Sequence, residues 1–310
     1  MAEKRSAGPS PRIKSSIRGE AKAKTVTERV MNGIFFVCGI LAAVSVVFIS
    51  LYMIFSGGPA ILKIGVGDFL LGDIWNPSNN EFGILPMILA SILATVVSVL
   101  IAVPIGVLAA VFLSHIAPKK LASFVRPMVD LLSGIPSVVY GLLGAILIVP
   151  MVFRLQEVFS MPTGGCLLSA VIVLVIMILP TIISVSETAL RAVPKSYYEA
   201  SLGLGGSKIQ SIFKVVVPAA KSGIVAGMVL GTGRAIGETM AVMMVAGNAA
   251  ILPEFLKPVR LLTVSIPFEW AYSSGIHREA LFGIGLTLFV FIMIINFALN
   301  GILKKGVKSA

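Results

Sequence analysis

The chain has 310 residues, 57% of them hydrophobic and 13% charged, with a formal net charge of +11. Soluble domains carry about 25% charged residues, so this composition excludes a surface covered by water. The basic excess would suit nucleic acid, but its placement along the chain, given below, excludes that partner.

Runs free of Asp, Glu, Lys and Arg cover 30–62, 82–117, 131–153, 158–186 and 280–303; a sixth, 222–253, is broken only by Arg234 and Glu238. Each is long enough for the roughly 20 apolar residues of a membrane-spanning helix. Lipid offers the backbone no hydrogen-bond partner, so the expected fold class is all-α, a polytopic membrane protein with six transmembrane helices.

In chain order, residues 1–29 form a basic tail poor in large apolar side chains and expected to be disordered. The first transmembrane helix covers 30–56, and it is expected to be retained because no small-residue cleavage pattern follows it. An external loop, 57–83, carries turn-forming Gly, Asn and Pro. Helix two covers 84–114, helix three 126–153, helix four 164–186, helix five 221–247 and helix six 280–303, so that 84–303 is a five-helix core. The external stretch 248–278 and a short tail, 304–310, complete the chain.

With six spans, nineteen of the 25 Lys and Arg residues fall on the side of the termini and five on the other. This asymmetry predicts cytoplasmic termini and accounts for the charge, with membrane lipid as the secondary contact. Cys38 and Cys166 both fall in spans, where buried apolar packing is the expectation rather than a disulfide. His115 and His277 are placed near opposite membrane faces and cannot share a metal ion. No Gly-Lys dipeptide occurs, so the chain holds no G-x-x-x-x-G-K phosphate loop. No catalytic constellation, metal site or cofactor is expected.

The connection 187–221 is long and carries helical signals of its own: Pro194 near a start, Gly205-Gly206 as a stop and Ser207 as an N-cap. Glu199-Ala200-Ser201 is followed by three residues, Gly205, nine residues, Val215, one residue, and Val217-Pro218. This spacing resembles the EAA signature of bacterial ATP-binding-cassette importer permeases, with Ser201, Val215 and Val217 as departures toward residues of similar size. The resemblance implies a type I importer permease fold. It also implies that 187–221 is a coupling loop whose Glu199, Ala200, Ser201 and Gly205 lie against a cytoplasmic ATPase. Gly205 permits a tight reversal, and Pro218 is expected to end the second short helix.

"GRAIGETMAV", "SGIPSVVYGLLG" and "ALFGIGLTLFVFIMIIN" resemble the phosphate-transport branch of that family. The tail and the first external loop resemble the larger of its two paired permeases. By this resemblance the chain is a subunit of the bacterial inner membrane and not itself an enzyme. Its partners would be a second permease in a heterodimer, an ATPase dimer and an external phosphate-binding protein. Two other functions remain open at this stage: a permease for another oxyanion (sulfate, molybdate or phosphonate) and a proton-coupled secondary transporter.

Arg234 and Glu238 are four residues apart, on one face of a continuous helix and within reach of each other. A charge at the bilayer centre costs about 2.5–3.5 kcal/mol on insertion scales, so both should face protein or a wet cavity. One reading is a packing ion pair beside a Gly223, Gly227, Gly231 stripe. The other is a substrate path in which the guanidinium binds anion oxygens and the carboxylate holds the arginine in register and lowers the field, or accepts a hydrogen bond from protonated phosphate. Thr239 adjoins this pair. Pro136 should kink helix three, leaving Ser133, Ser137 and Tyr140 either facing a cavity or bonded back to their own helix. Arg126 and Asp130 read as an i,i+4 pair. Glu269 and Trp270 read as contacts for a binding protein or, for the tryptophan, as an interfacial anchor.

Overall fold

The computed structural model describes the backbone of residues 11–308 and side chains from 28 to 298. It divides into two compact units, 1–55 and 56–310.

The first unit is one helix. α1 (Pro11–Ile64) begins well before residue 30, so 11–29 is helical where disorder was expected. Its Ala, Glu, Lys and Arg residues are strong helix formers that offset the missing apolar pattern. Residues 1–10 lie outside the described residues. From Glu28 to Phe55 the side chains are almost all exposed and mostly apolar around the whole circumference, as suits a helix solvated by lipid. Cys38 is exposed here rather than packed.

In the second unit α1 continues to Ile64, further than the predicted end at 56. α2 (Val66–Leu71) and a two-residue hairpin, β1 (Trp75–Asn76) with β2 (Glu81–Phe82), give the expected external loop its local structure. α3 (Leu85–Val111) runs on through a π turn to Ile116. The predicted third helix is two pieces: α4 (Lys119–Gly134), then a break at Ile135-Pro136, then α5 (Ser137–Leu143). A second π turn, Gly144–Ile148, leads into α6 (Val149–Val158). α7 (Leu167–Ala192) is the most buried long helix.

The connection 187–221 holds α8 (Lys195–Gly203), α9 (Lys208–Ser211), a third π turn (Ile212–Val216) and α10 (Val217–Ala219). α11 (Lys221–Ile236) and α12 (Met240–Val245) replace the single predicted helix five. α13 (Leu262–Glu269) and α14 (Gly275–Lys308) complete the chain. Among the described residues, five helices are long and apolar enough to span a membrane; a sixth span arises when α9–α10 and α11, bent by 70°, are taken together.

Each π turn directly precedes a proline. Ala117, Val149 and Val217 bond back five residues, to Phe112, Gly144 and Ile212, just before Pro118, Pro150 and Pro218. The proline ring crowds the carbonyl four residues before it and offers no N–H, and the ladder slips by one residue to accommodate it. Pro218 therefore does not end its helix. It sits in the first turn of α10, where its missing N–H costs nothing, and the chain bends two residues later at Ala220.

α7 is the axis of the main core, with Leu174, Met177, Ile178 and Ile182 fully buried. α11 lies against it through its glycine stripe, as the sequence suggested. A Cβ at Gly223 would meet Ala189 Cβ at 2.3 Å, one at Gly227 would meet Ser186 Oγ at 3.2 Å, and one at Gly231 would meet Ile182 at 2.7 Å. Gly106 of α3 meets the same Ile182 from another side. A second cluster (Phe69, Phe82, Ile84, Leu281, Ile284) surrounds the N-terminal end of α3. A third (Ala110, Leu190, Ile212, Val216, Ile224) surrounds its other end and holds the coupling connection.

Gly223→Ala should destabilise the purified chain by about 1–3 kcal/mol, read as a lower melting temperature in detergent. Gly233→Ala in the same helix has nothing within 4 Å of its added Cβ and should not lower it.

Candidate translocation site

α11 carries Arg234 in its last turn. The guanidinium is half-buried, and Nη1 donates to Thr181 Oγ1 of α7 at 3.2 Å. Beyond Ile236 the helix stops: Gly237 N–H closes on Gly233 O, and Glu238 turns away. Glu238 is buried, and its Oε1 accepts Ala241 N–H at 2.9 Å in the first turn of α12. A carboxylate is favoured there by the unpaired amides and the helix dipole. Its backbone carbonyl accepts Thr263 Oγ1–H at 2.8 Å.

The predicted Arg234–Glu238 contact is therefore absent among the described residues. It needs an unbroken helix, and the break removes the i,i+4 geometry. Without that pair, the proton-coupled alternative loses its structural basis. Thr239 is the residue before α12, half-buried, its hydroxyl directed at Gly237 O at 3.4 Å.

α4 also packs against α7. The Arg126–Asp130 pair does not form either. Arg126 bonds Glu187 of α7 through Nε and Leu113 O through Nη2 at 2.8 Å, while Arg191 reaches the same Glu187 oxygen at 3.1 Å. Asp130 instead accepts the Ser184 hydroxyl at 2.7 Å. A buried carboxylate between two guanidiniums outcompetes an exposed i,i+4 contact.

At the Pro136 break, Tyr140 is buried and donates to Leu132 O at 2.7 Å, so its hydroxyl bonds back across the break. Ser133 and Ser137 are half-buried. α5 is held close to α12, since a Cβ on Gly141 would lie 2.8 Å from Ala241 Cα. The structure thus assembles Arg234, Thr181, Ser184, Asp130 and Tyr140 around the middle of α7. Sequence reasoning missed Thr181, Ser184 and Asp130 here. The signal was a run of hydroxyls at one-turn spacing (Thr181, Ser184, Thr188) inside an apolar helix.

At the C-terminal end of α7, α8 is exposed along its length, with Glu199 and Ala200 exposed, Ser201 half-buried and Leu204 91% exposed. Gly205 has φ +85°, the left-handed turn that favours glycine. Ser207 caps α9 in a capping box with Gln210. Ser201 and Ser211 hydroxyls meet at 2.9 Å, tying the two short helices together.

At the other end, Glu269 is a half-buried hub. It accepts Trp75 Nε1–H at 2.9 Å, pairs with Arg260, and meets His277 Nε2 at 2.8 Å. These three contacts engage it within the chain. Trp270 is partly exposed and packs edge-on to Phe282.

Residues 102–308 match the family model described as binding-protein-dependent transport system inner membrane component. The chain belongs to this family. It is a multi-pass inner-membrane transport subunit. A probable ABC transporter permease, YqgH, of Bacillus subtilis is 38% identical over 271 residues, 84% of this chain and 87% of that protein. The phosphate transport system permease PstC of Pasteurella multocida is 35% identical over 239 residues, 72% of this chain and 75% of that protein. Among solved structures, the inward-facing MetNI methionine transporter gives a TM-score of 0.58 at 19% identity, covering 75% of this chain and 99% of the other. A bacterial alginate ABC transporter gives 0.56 at 14% identity, covering 86% and 94%. These likenesses establish the importer permease fold.

Because Glu238 caps α12 instead of pairing with Arg234, Glu238→Ala should cost about 1 kcal/mol. Combined with Arg234→Met, the two losses should add within about 0.5 kcal/mol; denaturation of the single and double variants measures this.

Proposed function

We propose that the chain is one of the two permeases of an ATP-driven phosphate importer. The observation that carries this reading is Arg234: a guanidinium set among transmembrane helices, bonded to a hydroxyl and to no carboxylate among the described residues. Its planar fork of donors suits phosphate oxygens. Relatives at 30–35% identity named as phosphate transport permeases support the choice of cargo.

In this reading the termini are cytoplasmic, with 1–29 a basic tail, 30–56 a flanking helix and 84–303 the core that forms half of the path. Arg234, Thr239, Ser133 and Tyr140 line that path, while Glu238 shapes the break that presents Arg234. A cytoplasmic ATPase dimer docks on α8 and the turn after it, where Glu199, Ala200, Ser201 and Gly205 stand, and Pro218 sets the bend behind them. Closure of the ATPases moves α8 and α9. The third core cluster carries that movement to the ends of α3, α7 and α11, and the path reopens toward the cytoplasm. A second permease completes the path, and an external phosphate-binding protein delivers the anion.

Proteoliposomes holding the assembled transporter should take up phosphate only with ATP and the binding protein. Arg234→Met should abolish uptake while the complex still assembles. ATP hydrolysis stimulated by sulfate and not by phosphate would overturn the assignment.

A further inference from the structure

Asp130 is an exposed carboxylate with a hydroxyl partner and no cation among the described residues, because Arg126 is committed to Glu187 and Leu113. Arg234 is the reciprocal case, a cation with a hydroxyl partner and no acid. The two hydroxyls belong to Thr181 and Ser184, three residues apart and therefore neighbours on one face of α7, with Cβ atoms about 5–6 Å apart. An unpaired acid and an unpaired base, among the described residues, are thus held by hydroxyls that stand about one helical turn apart on α7. Neither closes on the other; each rests on its own α7 hydroxyl.

A tetrahedral oxyanion hydrogen-bonded at both ends, at about 2.8 Å each, spans roughly 8 Å, longer than the one-turn step between the two hydroxyls. Glu238 cannot supply the acceptor, since its carboxylate is spent on Ala241 N–H. Ser133, three residues after Asp130 on α4, lies on the same side of that helix and is half-buried.

We propose that Asp130 determines specificity in the path: its carboxylate accepts the P–OH proton of hydrogen phosphate while Arg234 binds the deprotonated oxygens, with the Thr181 and Ser184 hydroxyls between them. This rests on the phosphate reading above. Hydrogen phosphate at neutral pH carries a donor that sulfate lacks, and a lipid phosphodiester lacks it too. Sulfate in the same seat would set oxygen acceptors against the Asp130 carboxylate, and such mismatches discriminate strongly. When the seat is empty both charges keep their α7 hydroxyls, so arrival and departure of the anion exchange hydrogen bonds without stranding a charge. Such exchange keeps binding weak enough for release.

The test uses proteoliposomes of the assembled transporter with its binding protein, measuring labelled phosphate delivered per ATP hydrolysed, with and without a large excess of sulfate. Asp130→Asn keeps an oxygen for Ser184 and removes the charge. It should lower phosphate per ATP at least about tenfold and make the remainder sensitive to sulfate, and Asp130→Glu should recover most of the loss. Wild-type delivery by Asp130→Asn would overturn the proposal. So would a parallel loss of uptake and ATP hydrolysis with unchanged sulfate resistance, which marks a packing role. Failure of the wild-type transporter to deliver phosphate at all would overturn the phosphate reading itself, and the wild type assayed alongside tells the two failures apart.

Discussion

The contact of α11 with α7 governs the rest of the second unit. Three glycines on α11 leave no side chain between the two helices, so Ala189, Val185 and Ile182 of α7 press against its backbone. Between apolar helices in lipid there is no hydrophobic force to draw them together; dispersion at close approach replaces it. That contact sets the height and rotation at which Arg234 leaves α11. It also decides that its partner is Thr181 on the opposed helix and not a residue of its own.

The helix breaks follow the same logic of satisfying polar groups where water is scarce. Each break is closed by a named bond. Glu238 takes an amide of α12, Thr263 takes the carbonyl of Glu238, and Tyr140 takes a carbonyl of α4 across the Pro136 break. The π turns ahead of Pro150 and Pro218 absorb the missing donor without opening the helix, and the one ahead of Pro118 closes the end of α3. The bundle therefore carries several bends whose freed backbone groups find partners of this kind. Between them lies a polar strip on α7, from Thr181 to Glu187, that meets α11 at one end and α4 at the other.

How much of this was legible beforehand depends on how local each cause is. The coupling connection read correctly at Pro194, Gly205 and Ser207 because a cap, a positive φ and a capping box are decided within a few residues. The glycine stripe read correctly because its period is that of a helix. The ion pairs read wrongly. Arg126 with Asp130 and Arg234 with Glu238 both have the right spacing, yet each partner was taken by a residue distant in sequence or by a helix end.

From composition and periodicity alone the chain declares itself an all-helical membrane protein, and the EAA spacing in 187–221 declares its family; apolar runs and short-range turn chemistry need no tertiary partner. The partners of its intramembrane charges were decided only in the folded molecule. A carboxylate or guanidinium in an apolar bundle pairs with whichever group packing brings to it. Four-residue spacing is one offer among several, and here Thr181, Ser184, Glu187 and the first turn of α12 made better ones.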